Sequence, residues 1–382
     1  MKQRLPSHLD DVSAFQAVEV FQAASELERA GQSVIHLEFG EPDFPTPAVI
    51  TEAGIAALRA GQTHYTHSLG IPEFREAIVA YHEQKYGNRL DPAQVVVSNG
   101  TSVLMQMLML MLLEPGDEII VSDPTYACYE NFVRLARGVP VRVPIHESEG
   151  FQLNPAAVRA AITPRTRGIM ICSPANPTGV VMRPEVLAEL AGLGVPVISD
   201  EIYHGLSYAA PDHSILSHGD GHFVLNGFSK YFAMTGWRLG YMISPRETMG
   251  TVMKLHQNIM ISATDFAQHA GLAALTQAIP ICEQYRAEYD RRRVFLVERL
   301  ARMGLPLGYE PAGAFYVFVN VKRYTNDSLA FAMEILREAG VALTPGADFG
   351  PGGEGYLRIS YANSLERIAQ AMDHLETFFA KR

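Results

Sequence analysis

The chain has 382 residues, 48% of them hydrophobic and 19% charged, with a formal net charge of −10 and an isoelectric point near 5.7. That length accommodates about two or three domains with sizeable cores, and an acidic balance weighs against a phosphate-backbone binder, which wants clustered Lys and Arg on one face, so nucleic acid is not an expected partner. Three cysteines, Cys128, Cys172 and Cys282, form no C-x-x-C pair, which indicates neither a disulfide framework nor a zinc site; no metal is expected, and a reducing, cytoplasmic compartment fits best.

The opening MKQRLPSHLDD lacks the apolar core of a signal peptide. Short β-branched runs bounded by turn residues then recur: VVVS at 95, EIIVS at 118, VPVRVPI at 139, RGIMICS at 167, VPVIS at 195, HFVLN at 222 and GYMIS at 240. Helix-length segments lie between several of them, which predicts an α/β architecture with a mostly parallel sheet covered by helices on both faces. The longest apolar stretch, Val103 to Leu113, is interrupted by Gln106 and is too short to span a bilayer. It reads as a buried helix, and no membrane is expected as a partner. Beyond Ile281 the character changes to a long charged helix up to Met303, then FYVFVNV, a helix near Ser328 to Ala339, the strand-like YLRISYA and a last helix. This predicts a smaller α+β unit.

Chemistry concentrates where predicted strands end. SNGTS (98 to 102) follows VVVS and precedes the apolar helix, so Gly100 lets backbone approach while the amides of Thr101 and Ser102 face a phosphate at a helix start. Read alone, the segment is equally a capped helix after a tight turn. Lys230 lies thirty residues after Asp200. A lysine amine holds an aldehyde as a Schiff base, and a buried carboxylate keeps a pyridine ring protonated, so the pair points to pyridoxal 5'-phosphate. Ser229 and Arg238 would add a hydroxyl and a guanidinium to the phosphate cradle. Asp200 ends an apolar strand, where an isolated carboxylate is costly, so a cationic partner is expected; a helix N-cap is the competing reading. Arg358, flanked by apolar and β-branched residues in YLRISYA, fits a bidentate grip on a substrate α-carboxylate.

GEPDFPTP (40 to 47), YTHSLGIPEFR (65 to 75), SNGTS, DPTYACY (123 to 129), SPANPTG (173 to 179), SDEIY (199 to 203), the Lys230 segment FSKYFAMTGWRLGY and YLRISYA together resemble the class I aminotransferases, in that family's order and over nearly the whole chain. The resemblance implies a fold-type-I transferase of the aspartate aminotransferase superfamily, with a large domain over 46–280 and a discontinuous small domain in which an N-terminal arm, 1–45, joins 281–382. It implies that Lys230, Asp200 and Tyr203 are catalytic. Asn176 and Tyr203 would hydrogen-bond the cofactor's 3-oxygen, Tyr126 would stack on its ring, and Tyr65 would reach the phosphate of a neighbouring subunit in a homodimer with shared sites. Gly40 and Asn176 would join Arg358 around the substrate carboxylate. The same resemblance suggests cis peptide bonds at Asp123-Pro124 and Asn176-Pro177. One departure is Gly227, where family members often carry a serine that contacts the phosphate.

The reaction implied is ping-pong transfer of an amino group between an L-amino acid and a 2-oxo acid. A β-lyase of the same fold is the alternative, and a non-catalytic cofactor-binding regulator is a remote one. Aspartate would need a second cation for its distal carboxylate. Gly100 to Leu113 and Gln257 to Gln268 contain no Lys or Arg. Phe15, Val18 and Ile259 to Ile261 are instead expected to line an apolar side-chain pocket, with Arg59, Arg75, His64, His67 and His256 as the remaining distal-carboxylate candidates.

Overall fold

The computed structural model describes residues 6–209 and 211–382. Before the main sheet come α1 (Gln16–Arg29), β1 (Ile35–His36), α2 (Ala48–Arg59) and α3 (Pro72–Tyr86). Pro72 opens α3 with its ring angle preset for a helix, and Gly87 closes it at φ 73°, a left-handed conformation that costs glycine little. The sheet and its crossovers follow as β2 (Val95–Ser98), α4 (Thr101–Leu112), β3 (Glu118–Asp123), α5 (Cys128–Leu135), β4 (Val139–Pro144), α6 (Pro155–Ala161), β5 (Thr166–Cys172), α7 (Pro184–Ala191), β6 (Val197–Asp200), β7 (Phe223–Gly227) and β8 (Gly240–Ile243).

These seven strands lie in the order β2-β8-β7-β6-β5-β3-β4, and only β8 runs against the others. Successive side chains of every strand except the edge strand β4 feed opposite cores. Val95, Val97, Ile120, Ile169, Ile171 and Val224 join the residues of α3, α7 and α9 (Asp265–Gln277), whereas Val96, Ile119, Val121, Met170, Ile198 and Leu225 pack against α4, α5 and α8 (Met249–Ile259). Both faces of those six strands are therefore dry, which is why they read as near-continuous apolar runs, whereas β4, with Val139 45% exposed, lies half open at the edge. Each fully buried Val, Leu or Ile contributes roughly 1.5–3 kcal/mol. Parallel direction brings Ser98, Asp123, Cys172 and Asp200, the last residues of four strands, to one edge of the sheet.

The rest of the chain comprises α10 (Ile279–Arg302), β9 (Tyr316–Asn320), α11 (Ser328–Ala339), β10 (Val341–Ala342), β11 (Thr344–Pro345), β12 (Tyr356–Ser360) and α12 (Leu365–Phe379). Strands β11, β12 and β9 form an antiparallel sheet. Strand β1 pairs in parallel with β10, Ile35 opposite Val341, and the Asn363 amide donates to the His36 carbonyl at 3.1 Å. The segment after β1 is fastened to α10, where Arg292 pairs with Asp43 at 2.8 Å and Phe44 stacks on Tyr285 at 4.2 Å. Among the described residues no helix is long and apolar enough to cross a membrane.

Candidate active site

A cavity of about 400 Å³ opens at the carboxyl edge of the main sheet, between it and the β9–β12 region. Its lining includes Gly40, Thr101, Ser102, Tyr126, Asn176, Asp200, Tyr203, Ser229, Lys230, Arg238 and Arg358. Eleven residues singled out from sequence thus converge, although they span more than 300 positions.

Thr101 and Ser102 are the first residues of α4, and Gly100 precedes them at φ 88°. A Cβ at Gly100 would come within 2.8 Å of Arg238 Nη2, so only glycine admits the guanidinium beside the helix start. Arg238 Nη1 donates to the Thr235 carbonyl at 3.1 Å. Helix amides, two hydroxyls and a guanidinium form a cradle whose donors suit a dianion. Gly227, where the family often carries a serine, is tightly packed: a Cβ there would lie 3.0 Å from the Leu239 carbonyl oxygen, so a side chain would require the neighbouring strand to shift slightly.

Among the described residues Asp200 has no cation within ion-pairing distance. Its carboxylate accepts from the Tyr129 hydroxyl at 2.8 Å and from the Ile202 amide at 3.2 Å, two neutral donors that fix it while its other side faces the cavity. Asp200 caps no α-helix either: the Ile202 bond closes a local turn. Burial pushes its carboxyl up to about 6, against the lowering effect of those two hydrogen bonds. Lys230 donates from Nζ to the Gly40 carbonyl at 2.5 Å. Burial, and then the Arg358 charge, bring its amine down to about 8. Gly40 itself is required by close approach, since a Cβ would collide with the Tyr316 hydroxyl.

Arg358, on β12, is buried without an acidic partner among the described residues. Nη1 donates to Asn176 Oδ1 at 3.0 Å and Nη2 to Thr344 Oγ1 at 3.1 Å and to the Glu38 carbonyl, while Nε has no partner. Tyr316 and Phe349 flank the guanidinium at 4.5 and 5.1 Å. A buried cation held by neutral groups is a site for an anion from solution. The Tyr203 and Tyr316 hydroxyls are 2.9 Å apart, and burial raises the Tyr203 phenol well above its usual value.

Peptide bonds Asp123-Pro124 and Asn176-Pro177 are cis, as is Ser173-Pro174, which was not anticipated. Sequence reasoning also missed Tyr129, Tyr316 and Asp348; the one available signal was the i, i+3 spacing of Tyr126 and Tyr129 across the start of α5. Tyr65 lies outside the cavity and is 79% exposed. Phe15 and Val18 do line the cavity, joined by Phe21 and Phe39. Ile259 and Ile261 do not: they lie where α8 ends, outside the cavity lining. None of Arg59, Arg75, His64, His67 and His256 reaches the cavity.

The family described as aminotransferase class I and II matches residues 32–375. The chain belongs to this family. It is a fold-type-I aminotransferase, an enzyme that transfers amino groups, and the family works with pyridoxal phosphate. A (5-formylfuran-3-yl)methyl phosphate transaminase of Methanocaldococcus jannaschii is 37% identical over 382 residues, 99% of this chain and all of the relative. An aspartate/prephenate aminotransferase of Thermus thermophilus is 39% identical over 372 residues, covering 93% and 94% of the two chains. Among solved structures, the Thermus thermophilus aspartate aminotransferase with maleate superposes with a TM-score of 0.93 at 38% identity over 98% of this aminotransferase and 99% of that chain. An alanine aminotransferase from Pyrococcus furiosus gives 0.94 at 32% identity over 99% and 100%. These relatives are named for different substrates, so family membership leaves the donor open.

Proposed function

We propose that this aminotransferase binds pyridoxal 5'-phosphate in the cavity, with the phosphate on Gly100, Thr101, Ser102, Ser229 and Arg238, and uses L-amino acids with apolar or aromatic side chains as donors. The observation that carries the donor class is the cation count of the cavity wall. Lys230, Arg238 and Arg358 are its only Lys or Arg residues among those described, and each has a task, which leaves none of this chain's own for a distal carboxylate. The apolar part of the lining near α1 is Phe15, Val18, Phe21 and Phe39, the last three still exposed in the single chain and open to cover by a bound side chain. Burying an unpaired carboxylate against it costs several kcal/mol, roughly, whereas an aromatic side chain gains by the same contact.

The donor set fits the cofactor: a helix-start cradle, a buried carboxylate free of cations and an amine within one cavity. When bound, pyridoxal phosphate supplies an aldehyde for an amine and a protonated ring that withdraws electrons from the donor's α-carbon. Arg358 holds the donor carboxylate, oriented by Asn176 and Thr344. Lys230, with its amine lowered to about 8, is released from its proton readily enough to take the one on the α-carbon and return it elsewhere. Asp200, fixed by Tyr129, offers a carboxylate to the ring nitrogen, and a cation there favours the ionised form. The exposed Tyr65 supports a homodimer with shared sites, and the β1–β10 pairing supports a small domain built from 1–45 with 281–382 around the large domain 46–280. A cytoplasmic location is consistent with three unpaired cysteines.

The test compares kcat/KM for phenylalanine, leucine and aspartate with one common 2-oxo acid. Phenylalanine or leucine should exceed aspartate. Aspartate as the best donor by tenfold or more would overturn the donor class.

A further inference from the structure

Helix α1 begins without a cap of its own: Phe15 stands at the N-cap position and provides no side-chain acceptor. The missing acceptor comes from 332 residues away. Asp348 Oδ1 takes the Gln16 amide at 2.8 Å and Oδ2 takes the Ala17 amide at 3.4 Å. A carboxylate at a helix start is stabilised by the free amides and by the helix dipole together. Just upstream, Asn131 on α5 clasps the Ser13 backbone from both sides, accepting its amide at 3.2 Å and donating to its carbonyl at 3.0 Å. Phe15 lies between these two attachments, its ring stacked against Tyr126 at 6.5 Å and 27°.

The two anchors belong to different parts of the site. Asn131 is on the helix that starts just after Tyr126, and Asp348 precedes Phe349, which flanks the Arg358 guanidinium. We propose that Asp348 and Asn131 are positioning residues that set donor specificity, by holding Phe15 and Val18 at a fixed distance from Tyr126 and Arg358 so that a large apolar side chain fills the gap. Neither needs to touch the reacting atoms. The effect falls on donors that reach this wall and spares those too short to do so. The inference rests on the apolar donor class proposed above.

Two variants test it, each measured as loaded enzyme with L-phenylalanine and L-alanine, and each as cofactor-free protein by amide hydrogen exchange. Asp348→Asn keeps one acceptor and loses the second together with the charge; Asn131→Ala removes the other clasp. In both, the ratio of kcat/KM for phenylalanine to that for alanine should fall about fivefold, mainly through a raised KM for phenylalanine. In Asp348→Asn the Gln16 and Ala17 amides should exchange faster than in the parent. An equal loss with both donors, an unchanged ratio, or a changed ratio with unaltered exchange overturns the proposal. Failure of the donor class is seen separately, as a preference of the unmodified enzyme for aspartate.

Discussion

Replacing Asp200 by asparagine should make the cofactor-free chain more stable while disabling the enzyme. The Asp200 carboxyl is 4% exposed and meets only the Tyr129 hydroxyl and the Ile202 amide. Its folded pKa, about 6, stands about two pH units above the value of about 3.9 expected for an unfolded aspartate. Because the folded value is the higher one, folding is favoured while the group keeps its proton: that advantage is complete below about pH 4 and is lost as pH rises through about 6. At about 1.36 kcal/mol per pH unit, the ionised group therefore costs about 3 kcal/mol at pH 7. The asparagine side chain is neutral and nearly isosteric, and its carbonyl still accepts one of the two hydrogen bonds. The attraction between Asp200 and the Lys230 cation is already contained in that figure, and losing one of the two hydrogen bonds removes part of the gain, so about 2–3 kcal/mol remains. Urea denaturation of both cofactor-free proteins between pH 4 and 7 measures this: the curves should coincide at the acid end and separate in favour of Asp200→Asn toward neutrality. A variant no more stable than the parent at pH 7 would refute the burial argument.

Lys230→Ala should fold yet yield no cofactor adduct on borohydride reduction, and should lose transamination by at least about 10²-fold; an unchanged adduct would move the anchoring amine elsewhere. Arg358→Lys keeps the charge but cannot span both Asn176 and Thr344, so KM for all donors should rise about tenfold or more in steady-state assays, aromatic and small alike. Tyr65→Phe should impair the enzyme about tenfold through a lost hydrogen bond to a charged group. Mixed at random with Lys230→Ala chains it should restore roughly one site in four if sites are shared across a homodimer; verified heterodimers without recovered activity would count against sharing.

The strands were legible because burial on both faces leaves near-continuous β-branched runs, and all seven occur where those runs lie. Their order was not, since nothing in VVVS or GYMIS says which strand lies beside it or that β8 runs in reverse. The convergence of Lys230, Asp200, Asn176 and Arg358 was readable from the family resemblance of the segments around them, since of the four only Arg358, set among apolar and β-branched residues, is poorly explained by its local surroundings. Tyr129 was missed for the opposite reason: a tyrosine beginning an amphipathic helix looks like core, and its hydroxyl partner is 71 residues away. Asp348 escaped notice in a glycine-rich turn because its role depends on the Gln16 and Ala17 amides. Strand β1, two residues long, is too short to show any period.

The pairing of Ile35 with Val341 fixes an order of events during synthesis. A ribosome delivers the N-terminus first, but the register for β1 does not exist until β10 has been made, more than 300 residues later. Lys230 and Asp200 have been made by then, whereas Arg358 and the Asp348 anchor follow β10. The nascent enzyme thus acquires its reactive amine before it acquires the wall that chooses what the amine meets, and Phe15, made before either, waits for Asp348 before it can take its place.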